Sequence, residues 1–252
     1  VGSYGDGLFI FEPSSGKVAQ LLKGPNPQDL NSNDIFCTME DRAGNLWLGT
    51  NGDGINVLDK NQKVKFRLTP APKTPLDVLF PINGFIRDII EDRAGNIWLA
   101  THGGGIASYN TQTKKFAIYH TENSKLPNDK VQTLLEDRAG NIWAGTLGGG
   151  IGILNRQTGG IAVLSEKDGL QNNAVYKIIE DSNGRKWVSS NKGISAIEPD
   201  AKKIRNFNHH NGVQQNNFVR GAGLLLSNGN VLFGGLEGFH SFTTAHLKKN
   251  NK

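Results

Sequence analysis

The sequence predicts an all-β fold, a β-propeller of four-stranded antiparallel blades, seen here as an incomplete ring with parts of six blades. Three observations predict it. A tryptophan-bearing motif recurs about every 45 residues, each period divides into four short strand signals, and glycine makes up 32 of 252 residues without any Gly-X-Y period. A repeat of this length marks a propeller or a solenoid. Four strand signals per repeat, with no helical period of 3.6, exclude the helical solenoid.

The motif is Glu-Asp-Arg-Ala-Gly-Asn-Leu/Ile-Trp, at residues 40–47, 91–98 and 136–143, with a looser copy at 180–187. Successive tryptophans, Trp47, Trp98, Trp143 and Trp187, are 51, 45 and 44 residues apart, and Leu232 holds the position in a fifth copy. In the third copy, 131–135 is a first strand, 137–141 a tight hairpin and 142–146 a second strand. Glycines 148–150 then turn the chain into a third strand at 151–154, and a fourth follows at 161–164. At the start, 1–8 matches 48–55, so the chain opens at a second strand. The expected blade fragments of a partial propeller over 1–247 are 1–30, 31–82, 83–127, 128–172, 173–215 and 216–247, followed by a basic tail at 248–252. Six visible units predict a parent ring of seven.

Bulk composition narrows the function classes. Net charge is +5, and outside Lys248, Lys249 and Lys252 there is no basic cluster, so no nucleic-acid arm is expected. Cys37 stands alone, which rules out a disulfide framework and predicts a small packed core residue. No apolar stretch approaches the roughly 20 residues that cross a bilayer. No signal peptide is visible, and a membrane connection is expected only through downstream segments.

The recurring Asp and Arg of the hairpin read as structural. The carboxylate can accept backbone N–H groups across the turn, glycine supplies positive φ, and Asn tolerates the left-handed conformation. A tryptophan used identically in every repeat packs blade against blade. The calcium-loop pattern is absent, and the Gly-rich turns at 103–105 and 148–150 feed strands, so they are not phosphate loops. His102, His120 and His209-His210 do not pair at metal spacing, and no metal or cofactor is expected.

What changes between repeats is more informative. Ile35, Ile86, Val131 and Val175 hold one apolar column, and Met39, Ile90, Leu135 and Ile179 another. Between them one column reads Phe36, Arg87, Gln132, Tyr176 and, allowing a one-residue bulge, Arg220; its neighbour reads Cys37, Asp88, Thr133, Lys177 and Gly221. First strands line a propeller's channel, so Arg87, Asp88, Gln132, Tyr176, Lys177 and Arg220 are expected at its mouth. Asn51, Asp53, His102, Lys192 and Glu237 would ring them from the neighbouring turns. The candidate ligand-binding set is Arg87, Asp88, His102, Gln132, Tyr176, Lys177, Lys192 and Arg220, with no catalytic residue assigned. Mixed Arg, Lys and Tyr suit a polar or anionic ligand. A proline-bearing insertion at 69–77 is expected to be a stiff extended loop on the same face, a rim for a ligand or a dimer contact.

The hairpin phrase followed by Gly-Gly-Gly-Ile or Gly-Asp-Gly-Ile, at 40–55, 91–106 and 136–151 and more loosely at 180–194 and 226–239, resembles the two-component-regulator propeller repeat. That repeat occurs in periplasmic sensor regions of bacterial hybrid two-component systems. The resemblance implies a sensing segment that recognises an oligosaccharide, neutral or acidic, and passes the signal to a histidine kinase outside this chain. It implies a periplasmic location and no enzymatic activity in this segment. A glycan-active enzyme is the first alternative, because the Asp-x-x-Gly-Asn-x-Trp turn resembles the aspartate boxes of sialidases, and lyases also use propellers. Arg87, Arg220 and Tyr176 lack a third central Arg and a neighbouring Glu for the sialidase chemistry, and only His102 is placed to act as a lyase base. A protein-interaction scaffold is the second alternative, and self-association as a dimer is expected.

Overall fold

The computed structural model describes residues 1–208, 211, 213 and 218–243. His209, His210 and the basic tail at 248–252 therefore lie outside the described residues. Two compact units divide the chain between Tyr119 and His120.

In the first unit, β1 (Leu8–Glu12) and β2 (Lys17–Leu21) form an antiparallel pair. The next sheet comprises β3 (Ile35–Glu40), β4 (Leu46–Gly52), β5 (Ile55–Leu58) and β6 (Val64–Thr69), each antiparallel to its neighbour. The insertion does not stay an irregular loop: it ends in β7 (Asp77–Leu79), a fifth strand lying parallel to β6. A third sheet holds β8 (Gly84–Glu91), β9 (Asn96–Thr101), β10 (Ile106–Asn110) and β11 (Phe116–Tyr119). Asn51 and Gly52 of β4 also pair with Phe85 and Gly84 of β8, which ties one blade's turn to the next blade's first strand.

The second unit repeats the plan. One sheet runs β12 (Val131–Glu136), β13 (Ile142–Thr146), β14 (Ile151–Leu154) and β15 (Ile161–Leu164). The next runs β16 (Val175–Glu180), β17 (Lys186–Ser190), β18 (Gly193–Ile197) and β19 (Ile204–Phe207). The last described sheet is β20 (Phe218–Leu225), β21 (Asn230–Gly235) and β22 (Gly238–Thr243).

Within each unit the core lies between blades. Trp47 packs with Ile86, Ile89, Ile97 and Tyr109 of the following sheet. Trp143 packs with Val175, Ile178, Val188 and Ile197, and Trp187 with Phe218, Val231 and Phe233. Close approach of the blades leaves no room beyond a glycine at some second-strand positions. A Cβ on Gly145 would collide with Val175 and Thr133, and one on Gly49 with Cys37 and Ile86. Cys37 is half-buried against the same cluster as Trp47.

The hairpin motif has a more specific chemistry than turn propensity. Each motif aspartate accepts the indole N–H of its own tryptophan: Asp41–Trp47, Asp92–Trp98 and Asp137–Trp143 at 2.8 Å, and Asp181–Trp187 at 2.9 Å. The glycine, not the asparagine, takes the left-handed conformation, with φ of 78° at Gly44, 83° at Gly95 and 84° at Gly140. Asn45, Asn96 and Asn141 instead donate side-chain N–H groups to the aspartate. The arginine leaves its own hairpin altogether. Arg42 reaches the carbonyls of Asp92 and Arg93, and Arg138 that of Asp181, so each clasps the next blade.

Candidate functional site

The variable column has a structural cause. Pairing between first and second strands skips one residue in four successive sheets, between Ile35 and Cys37, Ile86 and Asp88, Val131 and Thr133, and Val175 and Lys177. The skipped residues are Phe36, Arg87, Gln132 and Tyr176. Each is the extra residue of a β-bulge, which frees its side chain from the alternation of the pleat and re-aims it. In β20 the irregularity falls between Phe218 and Gly223 and includes Arg220.

In the first unit the Arg87 guanidinium lies over the Phe36 ring, 4.2 Å from its centroid. Its Nη2 donates to Asn51 Oδ1 at 3.0 Å and its Nη1 to the carbonyl of Ile86 at 3.1 Å. Phe36 is 46% exposed, so the pair presents an open ring with a guanidinium seated on it. Asp88, the next residue, is in register with Ala100, and its Oδ1 accepts the Ile89 N–H. His102 is held at the β9–β10 turn, its N–H donated to the carbonyl of Phe85 at 2.8 Å.

The second unit holds a similar pair. Arg220 lies over the Tyr176 ring at 5.7 Å, again joining bulge positions of neighbouring sheets. Lys177 is in register with Ser189. Lys192 is exposed at the β17–β18 turn, where its carbonyl accepts from Gln171. Gln132 differs from its column: it is buried, at 2% exposure, and not at an open surface. Glu237 is exposed at the β21–β22 turn.

The structure thus brings Arg87 together with Phe36 and Asn51, and Arg220 with Tyr176, each set within its own unit. Phe36 belongs to the variable column but not to the expected binding set, which holds its charged and polar counterparts. An aromatic preceding an arginine at the same repeat position was the signal that could have found it. A guanidinium stacked on a ring sets a permanent positive charge beside an apolar surface, a combination that suits an anionic sugar. Among the described residues no group of three His, Cys, Asp or Glu could hold a metal ion.

Blades of this kind, clasped by Asp–Trp hairpins, define a β-propeller repeat protein. The chain carries the two-component regulator propeller repeat: that family's model matches residues 29–52, 81–103 and 125–148, each span covering a first strand, a hairpin and a second strand. Among curated proteins it is similar to Histidine kinase P4 of Formosa agariphila, with 32% identity over 228 residues, 86% of this chain and 16% of that protein. Among solved structures it is similar to the extracellular domain of a hybrid two-component system, BT3049, of B. thetaiotaomicron. There the TM-score is 0.65 and the identity 24%, over 96% of this chain and 37% of that one. It also resembles PorZ of the type-IX secretion system of Porphyromonas gingivalis, with a TM-score of 0.73 and 18% identity over 96% and 36% of the two chains. The chain thus spans about a sixth of the length of the curated kinase and about a third of the solved chains.

Proposed function

We propose that this chain is the ligand-receiving propeller of a hybrid two-component sensor, acting in the periplasm as a binding module without catalysis of its own. Its ligand is an oligosaccharide, acidic glycans foremost, and binding is passed to a kinase downstream of this segment. One observation carries the ligand class: a bulge in successive first strands re-aims Phe36, Arg87 and Tyr176, and two arginine–aromatic pairs result. Such pairs suit hydroxyl-rich, anionic molecules better than apolar ones. Likeness to the extracellular domain of a hybrid two-component system supports the location and the role.

A thermal-shift series with neutral and acidic oligosaccharides tests this. Ligand at a hundred times its dissociation constant adds about 2.7 kcal/mol to stability. The expected result is stabilisation by an acidic glycan left intact, reduced by Arg87→Ala or Arg220→Ala. Turnover of the glycan would favour an enzyme, and a flat response to every glycan would move the protein-interaction scaffold to the front.

A further inference from the structure

The first unit contains a cleft of about 510 Å³ whose lining includes none of the bulge residues. One wall is the segment that follows β2, bearing Lys23 and Asn26; the other is the insertion, bearing Pro70 and Lys73. Asn31, ahead of β3, and Asp53, at the β4–β5 turn, also line it. The volume is that of a small-molecule site, and its lining mixes apolar surface with a few placed polar groups.

Arg67 of β6 makes this a built feature. Its side chain is only 5% exposed. Nη2 donates to the carbonyls of Pro27 (2.7 Å) and Asp29 (2.5 Å) behind one wall. Nη1 reaches Asp77 Oδ1 (3.1 Å) and Thr74 Oγ1 (3.3 Å) behind the other. One guanidinium therefore fixes the two walls relative to each other. Asp77 completes the brace, its Oδ2 accepting the Lys73 and Thr74 N–H groups at 2.8 Å. In register the other sheets place Ile118, Val163 and Asn206 at the Arg67 position, so no other described fourth strand carries a charge there.

With Arg67 and Asp77 neutralising each other, the cleft's unspent charges are two ammoniums and one carboxylate. Lys23, Lys73 and Asp53 have no ion-pair partner among the described residues, and both lysines are exposed. Two ammoniums lining one cleft suit a single anionic group. The Asp53 carboxylate suits the hydroxyls beside it, while the amides of Asn26 and Asn31 are held by Asp29, by the Asp53 carbonyl and by Asn56 and shape the cleft.

We propose that the cleft between the segment at 23–31 and the insertion at 70–77 binds a uronic-acid unit. Lys23 and Lys73 take its carboxylate, and Asp53 accepts from its hydroxyls. None of the residues lining the cleft belongs to the arginine–aromatic pairs. Isothermal titration of the full chain with digalacturonate, lactose and sodium sulfate at matched ionic strength tests it. Digalacturonate should bind, with lactose and sulfate at least about tenfold weaker, as expected where charge-assisted and hydroxyl contacts act together. Joint Lys23→Ala and Lys73→Ala substitution should weaken digalacturonate about tenfold or more at an unchanged melting temperature. Lys60→Ala, on the exposed β5–β6 turn, should bind as the unaltered chain does. Wild-type affinity in the double variant, equal binding of lactose or of sulfate, or no heat with millimolar digalacturonate would each overturn the proposal. The sensor reading is tested through Arg87 and Arg220, so either can fail without the other.

Discussion

Asp41 accepts from four donors at once: the N–H groups of Ala43 and Asn45, the Asn45 amide and the Trp47 indole. Removing that acceptor strands an indole N–H on a side chain only 1% exposed. An unsatisfied buried donor costs about 1–3 kcal/mol, so Asp41→Ala should lower the urea midpoint by that equivalent, and Asp41→Asn by less. No change in Asp41→Ala would show that the network is decorative. The same carboxylates predict a pH dependence. Burial pushes the Asp41 and Asp137 carboxyls up, but hydrogen bonds from the tryptophans, the asparagines and the backbone outweigh it, and both end lowered from 3.8. Asp77 is lowered in the same way, its hydrogen bonds from Lys73, Thr74 and Arg67 outweighing its burial. A lowered folded value means that these groups stabilise fully above the unfolded pKa and lose that contribution as pH falls through the folded one. The urea midpoint should therefore be level from neutral pH to about 5 and drop below about 4. A midpoint that rises on acidification would contradict the assignment.

At the scale of elements, the brace at Arg67 decides whether the insertion is a strand or a loop. Breaking a buried pair from one side leaves the other charge uncompensated, at about 3–5 kcal/mol in enclosed sites. Arg67→Ala should cost toward the lower end of that range, because Asp77 keeps its backbone donors. Hydrogen exchange should then accelerate in β7 and at 73–77 before it does in β4 or β5; uniform exchange across the sheet would contradict this. Arg67→Lys should not restore protection, since an ammonium cannot span both walls as the planar fork does. The strand period, the hairpins and the blade-packing tryptophans were legible in the sequence because they are local and repeated. The bulge was not, outside the last repeat, since register exists only relative to a partner strand. Nor was the destination of Arg42, whose acceptors lie some 50 residues away.

For the molecule as a whole, each unit exposes apolar side chains on a terminal sheet. Phe11 and Val18 are 59% and 62% exposed on β1–β2, and Leu224 and Phe239 are 57% and 69% exposed on β20–β22. Exposed apolar strands of this kind invite pairing with another copy. Self-association at micromolar concentration is the expected outcome in light scattering, and a clean monomer would count against it. A charged substitution such as Val18→Lys should reduce the association if β1–β2 supplies the surface.

By itself the sequence determined the class of fold, the repeat length and the residues that vary on a constant scaffold. All three are properties of a local pattern copied along the chain, readable without knowing which strands meet. Only the tertiary structure decided that Phe36, Arg87, Gln132 and Tyr176 each sit on a bulge and that Arg87 and Arg220 each rest on a neighbouring blade's ring. It also decided that Gln132 is buried while Phe36 is open, and that one buried arginine turns the insertion into the wall of a cleft. The arginine–aromatic pairs and the Arg67 brace to the segment at 27–29 depend on contacts between residues 36 to 51 positions apart, whose energies are set by packing and desolvation that no local pattern encodes.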